Sequence, residues 1–140
     1  MTINQQLLEI HQNFEKGYHS HIDYGEWRVA TLCYIDELAP ENIETIERHN
    51  ETDEVFVLLQ GHCILFIGEG DNEITAIHPA DMEPQKLYNV KKGVYHTHTL
   101  SRDALLLIIE NRDTSLANSD SLRLKNKDRQ QLLEAVKTLW

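Results

Sequence analysis

Five side chains in this sequence have types and spacings that suit metal or proton-transfer chemistry: Glu47, His49, Glu54, His96 and His98. Glu47 and His49 stand two apart in a β-patterned run, so they share one strand face. A polar turn over 50–53 follows, and Glu54 then heads the apolar run Val55-Phe56-Val57-Leu58-Leu59, closed by Gln60-Gly61. These three groups converge only if a hairpin joins the two runs. The second half of the chain offers Gly93-Val94-Tyr95-His96-Thr97-His98 in a further β-patterned run. Imidazole nitrogen and carboxylate oxygen brought within bonding distance suit a divalent first-row ion, with a position left for water or substrate.

The elements that must position these groups read mostly as strands. Trp27 to Ile35 is rich in aromatic and β-branched residues and is broken by Pro40. Ile43 to His49, His62 to Ile67, Glu73 to Ile77, Lys86 to Val90, Val94 to Leu100 and Ala104 to Glu110 continue the pattern. Turn residues recur about every eight to twelve positions, the rhythm of a sandwich or barrel. Leu7, Leu8, Ile10 and Phe14 lie on a helical stripe ended by Gly17, which predicts a short helix over about 3–16 packed outside the sheet. The chain turns polar from Ser115, and Asn126 reads as the N-cap of a last helix over about 127–139 that holds Leu132, Leu133, Val136, Leu139 and Trp140. His19 and His21 fall in a turn-like composition and read as surface loop.

Composition narrows the function classes. One domain is expected at 140 residues, long enough to bury a core without disulfides. A formal charge of −10 argues against a nucleic-acid backbone or an anionic membrane as partner. No secretory signal and no apolar run of transmembrane length is visible. Cys33 and Cys63 lack C-x-x-C spacing and sit in apolar runs, so they read as buried free thiols in a reducing compartment, the cytoplasm by default. Neither has the context of a catalytic thiol. The cluster Arg123, Lys125, Lys127 and Arg129 reads as a solvated helix entrance.

The central two-thirds of the chain resembles the cupin superfamily, in particular its small single-domain bacterial members. The first family motif is G-x5-H-x-H-x4-E-x6-G, and His49, Glu54 and Gly61 match its second His, its Glu and its final Gly. The second is G-x5-P-x-G-x2-H-x3-N, and Gly93 and His96 match G-x2-H. Glu47 stands where the first His belongs and Glu41 where the opening Gly belongs; Gln85, Lys91 and Leu100 replace Gly, Pro and Asn of the second motif. The resemblance implies an all-β fold: a double-stranded β-helix, or jelly-roll barrel, over about 26–112, flanked by short N- and C-terminal helices. It also implies a pocket inside the barrel and, from the small barrels of the family, a homodimer.

In that family the motif residues line the pocket and often bind one divalent metal. Here His49, Glu54 and His96 would form a two-His, one-carboxylate set, and Glu47 a fourth ligand or a general base. The ion would be Fe, Mn, Zn or Ni. The alternative is a barrel that has lost its metal, with the same residues hydrogen-bonded to one another. His98 shares a face with His96, displaced about 7 Å along the strand; acid–base group, substitute ligand and plain hydrogen-bonding residue all remain open for it. Phe56 and Leu58 share the Glu54 face and give an apolar pocket wall, Val55, Val57 and Leu59 belong to the other packed face, and Arg48 points away into a salt bridge. Three functions follow: a metal-dependent enzyme acting on a sugar or carboxylic acid, a non-enzymatic pocket that binds a metabolite, and a metal-independent sugar epimerase using a His–carboxylate pair.

Overall fold

The computed structural model describes residues 2–140. Ten strands are formed among them: β1 (Gly17–Tyr24), β2 (Trp27–Cys33), β3 (Thr45–His49), β4 (Glu54–Gln60), β5 (Cys63–Gly70), β6 (Ile74–Asp81), β7 (Tyr88–Val90), β8 (Tyr95–Leu100), β9 (Leu105–Asn111) and β10 (Ser119–Arg123). One α-helix follows, α1 (Asn126–Leu139). The strands form two five-stranded sheets, ordered β1-β2-β9-β4-β7 and β10-β3-β8-β5-β6. Neighbouring strands pair antiparallel throughout.

The sheets close on one apolar core. Ala30, Leu32, Phe56, Leu58, Leu106 and Ile108 come from the first sheet and meet Cys63, Leu65 and Leu100 from the second. Strand alternation puts them there, because residues two apart project to the same side. A second cluster lies on the outer face of the second sheet, where Ile46, Ile64, Phe66 and Tyr95 pack under Leu132 of α1. Arg48 projects outward as expected and bonds Asp120 and Asp71, each at 2.9 Å. Cys33 and Cys63 are buried free thiols. Leu59, expected in a packed face, is exposed; a register irregularity between Leu58 and Gln60 ends the regular pairing there.

Two expectations fail at the ends of the barrel. Residues 3–16 form no helix beyond a single turn, in which Asn4 accepts from Leu7 N and Leu8 N at 2.8 and 3.1 Å. The apolar stripe finds nothing to pack on: Leu7, Ile10 and Phe14 are exposed, and so short a helix is marginal without tertiary contacts. The barrel then begins at Gly17 rather than near 26 and extends beyond 112 to Arg123. β1 and β10 are both edge strands, half-exposed and therefore polar, which hides them from a hydrophobic pattern. His19 and His21 accordingly lie in a strand, with His21 Nε2 2.7 Å from Thr31 Oγ1 across the ladder. The N-cap of α1 is Lys125 rather than Asn126, and its backbone N–H donates to Asp128 Oδ2 at 3.3 Å.

The motif glycines are required by the backbone. Gly61 has φ 75°, and a Cβ there would lie 2.7 Å from Ala104 Cα. Gln85 stands where the second motif has Gly and keeps the left-handed conformation, φ 68°. No helix among the described residues is long and apolar enough to cross a membrane.

Candidate metal centre

Four strands from both sheets bring polar side chains to one end of the barrel interior. β3 supplies Glu47 and His49, whose neighbours Ile46 and Arg48 face outward. β4 opens with Glu54, two residues before Phe56 on the inward face. β8 carries His96 directly opposite Glu47. β9 carries Glu110, beyond the inward Leu106 and Ile108. His49, Glu54, His96 and Glu110 are all buried, whereas Glu47 is exposed.

One oxygen, Glu54 Oε2, is the meeting point. It lies 2.8 Å from His96 Nε2 and 3.0 Å from His49 Nε2. The far nitrogens are engaged as well: His96 Nδ1 is 3.1 Å from the Val94 carbonyl oxygen and His49 Nδ1 is 2.7 Å from Ser119 Oγ. A carbonyl oxygen only accepts, so His96 Nδ1 carries a proton. In the neutral ring, Nε2 then presents a lone pair to a carboxylate oxygen. Such a contact closes around a proton, carried by the ring or by the carboxyl, or around a metal ion. The donor set passes this test for a metal, since a ring tautomer fixed by a backbone carbonyl is how metal-binding histidines are commonly oriented. The buried His–Glu cluster can hold an ion: Glu47, His49 and His96 offer atoms within 4.8 Å of one another, as do His49, Glu54 and Glu110.

The electrostatics follow from burial and from these contacts. Burial alone would raise the Glu54 carboxyl, but hydrogen bonds from His49 and His96 and their charge hold it well below the carboxylate range. His49 is pulled down by burial and raised overall by its hydrogen bond to Glu54 and by the Glu54, Glu47 and Glu110 charges. Glu110 is pushed up by burial and by the Glu54 charge, against the opposing effect of Arg28 and Tyr18.

His98 lines the same cavity. Its Nδ1 is buried with no hydrogen-bond partner, and its ring packs 5.6 Å from Phe56. Burial lowers its pKa to about 4, so it is neutral at physiological pH. The cavity has a volume of about 650 Å³. Phe56 and Leu58, the expected apolar wall, do not line it and lie buried in the core instead; Leu32, Leu38, Ile43 and Ile108 supply its apolar wall.

Glu110 escaped the motif reading because it lies outside both motifs, at the end of an apolar run. Its Oε1 accepts from Tyr18 Oη at 2.9 Å and from Arg28 at 3.1 Å (Nε) and 2.6 Å (Nη2). The signal was alternation: Leu106, Ile108 and Glu110 share a face, and an acid continuing a buried face calls for a partner. Tyr18 adjoins His19 in β1, the strand whose turn-like composition conceals it.

No family model matches the sequence. No curated protein matches it either. Solved structures do match in shape. A cupin-2 domain containing protein from Shewanella frigidimarina superposes with a TM-score of 0.51 at 16% identity, covering 80% of this chain and 94% of that one. Pac13 of Streptomyces, solved with uridine, gives 0.54 at 11% identity, covering 86% and 88%; it is described as a nucleoside dehydratase. WlaRA of Campylobacter jejuni, a TDP-fucose-3,4-ketoisomerase, gives 0.50 at 16% identity, covering 77% and 72%. At such identities the likeness concerns architecture. The two antiparallel sheets, their shared core and these neighbours together make the fold of this chain the all-β cupin fold.

Proposed function

We propose that this chain is a metal-dependent enzyme acting on a small polar metabolite, with a divalent transition ion held by His49, Glu54 and His96. The observation that carries the reading is the single oxygen Glu54 Oε2 between two imidazole nitrogens, both rings being held from behind. A bound ion would polarise a substrate oxygen. Glu47, on the same strand face as His49 and open to the cavity, would take or return a proton. Neutral His98 offers a ring nitrogen to an uncharged substrate group.

Charge selects among substrates. The cavity is lined by Glu37, Glu44, Glu47, Glu54 and Glu110 against one guanidinium, Arg28. Arg28 is spent on Glu110 and on the carbonyl oxygens of Arg112 and Thr114. Among the described lining residues no side-chain cation is free, so only the bound ion itself could take a carboxylate or phosphate, and the surrounding glutamates favour a sugar-like polyhydroxylated molecule over a carboxylic acid. Nucleoside and sugar chemistry in the names of two structural neighbours agrees with that preference. A cytoplasmic homodimer goes with the reading, since the thiols are free and Leu7, Ile10 and Phe14 offer surface for a second copy.

The test is a turnover screen of sugars, nucleosides and carboxylic acids on stripped and metal-reconstituted protein. Turnover of a polyol that disappears on chelation, returns with one metal and is lost in Glu47→Gln supports the reading. Turnover that survives chelation would instead assign the Glu54–His96 contact to a metal-independent proton shuttle. Tight binding without turnover would make the chain a metabolite-binding protein.

A further inference from the structure

We infer that Glu110 is itself a metal ligand, through Oε2, so that the centre is built from two histidines and two carboxylates. The inference rests on the metal reading above and adds a residue that neither cupin motif contains. Three observations carry it.

The first is register. Val55 pairs with Ile109 and Phe56 with Ile108, and the same register sets Glu54 opposite Glu110 at the next inward position. Both acids are 6% exposed. Like charges directly opposed across two strands are destabilising, and more so away from water. The second is that the two oxygens of Glu110 differ. Oε1 accepts all three hydrogen bonds from Tyr18 and Arg28, and no bond is made by Oε2. Oε2 faces the centre, 4.0 Å from His49 Nε2, and Glu110 falls with His49 and Glu54 inside the 4.8 Å cluster. The third is charge balance. Arg28, opposite Glu110 in the β2–β9 ladder, answers one of the two buried carboxylates. Glu54 is answered by His49 and His96 only while those rings carry extra protons; with the rings neutral as ligands, a divalent ion held by Oε2 and Glu54 would supply the missing charge and remove the repulsion that the register imposes. Glu47 is exposed, so water can screen its charge and nothing obliges it to enter the centre. Tyr18 and Arg28 are then positioning residues that turn Oε2 inward.

The experiment uses the full chain, stripped of metal and titrated with Co(II), reading both affinity and the visible absorption band of the bound ion. Glu110→Gln is expected to weaken Co(II) binding at least about 100-fold, beyond what loss of an outer hydrogen bond usually costs, and to shift the band. Glu47→Gln should leave both near wild type. Should Glu110→Gln fail to melt cooperatively, Glu110→Asp keeps the charge but withdraws the oxygen, and should shift the band likewise. A Glu110 variant that binds Co(II) with an unchanged band, at whatever affinity, overturns the inference and makes Glu110 an outer support. Glu47→Gln showing the larger loss and the shifted band overturns it too. Wild-type protein that binds no Co(II) would sink the metal reading itself, a different and separately visible result.

Discussion

The two ends of the barrel interior are built from the same strands and share almost no chemistry. Along the inward face of β4 the order is Glu54, Phe56, Leu58; along β8 it is His96, His98, Leu100; along β9 it is Glu110, Ile108, Leu106. Pairing registers align Phe56 with Ile108 and Leu58 with Leu106, so each strand contributes one residue to each layer. The bottom layer is wholly apolar and nearly free of solvent. The top layer is acid and imidazole around a cavity. In such a barrel the apolar layer supplies the free energy that keeps the polar layer in place, because buried charges offset little of their own desolvation. Folding and chemistry are therefore separable by depth.

Mutating each layer in turn tests that separation. The largest effect on stability belongs at the bottom: Leu106→Ala, at a fully buried position, is expected to cost about 2–5 kcal/mol. Chemical denaturation checks it, and a loss as small at Leu106 as at an exposed site would break the contrast. At the top, His49→Ala and His96→Ala should keep cooperative melting near that of the metal-free parent. Global unfolding in either variant would mean that the polar layer also carries the fold.

Acidification acts on the top layer next. His49 holds its proton to higher pH than a free histidine, because its contact with Glu54 and the surrounding carboxylates outweigh burial. A metal ion competes with that proton. Metal affinity should therefore be full above the raised His49 range and fall as pH drops through it, with proton release on binding in that window. Calorimetric titration in buffers of different ionisation enthalpy measures the release. Affinity independent of pH across the histidine range would remove His49 from the ligand set.

The smallest effects come from the middle layer and the turns. Burial lowers His98 from 6.5 to about 4, so the unfolded chain binds its proton first and folding loses stability as pH falls from 6.5 toward 4. His98→Leu removes both that loss and the unpartnered Nδ1. It should stabilise the ligand-free protein by roughly 1 kcal/mol at neutral pH and flatten the acid limb of the melting curve. A destabilised variant would show that the imidazole is already satisfied. Gln85→Gly should gain a few tenths to about 1 kcal/mol by relieving a left-handed side-chain-bearing residue, less the added flexibility of the unfolded chain.

The apolar layer and the motif half of the polar layer were legible in the sequence for one reason. Each sits on a strand with one buried face, where alternation leaves a period of two and the family spacing fixes His49, Glu54, Gly61, Gly93 and His96. Gln85 shows how firmly that spacing binds, since the backbone keeps the glycine conformation without the glycine. The illegible parts fail this condition. The 3–16 stripe has helical spacing but no surface to pack on, so periodicity misread it. β1 and β10 are edge strands with weak contrast between their faces. Glu110 has meaning only through Arg28, which is 82 residues away in sequence and adjacent in the sheet. Local pattern does not reveal such a pair before the strand order is known.

The most direct test of the central claim is metal analysis of protein purified without a chelator or an affinity tag, for the parent and for His49→Ala and His96→Ala. Close to one divalent transition ion per chain is expected in the parent and a near-complete loss in both variants, each still folded. Metal content unchanged in both variants, or a folded parent that takes up none of Fe, Mn, Zn or Ni when these are supplied, would contradict it.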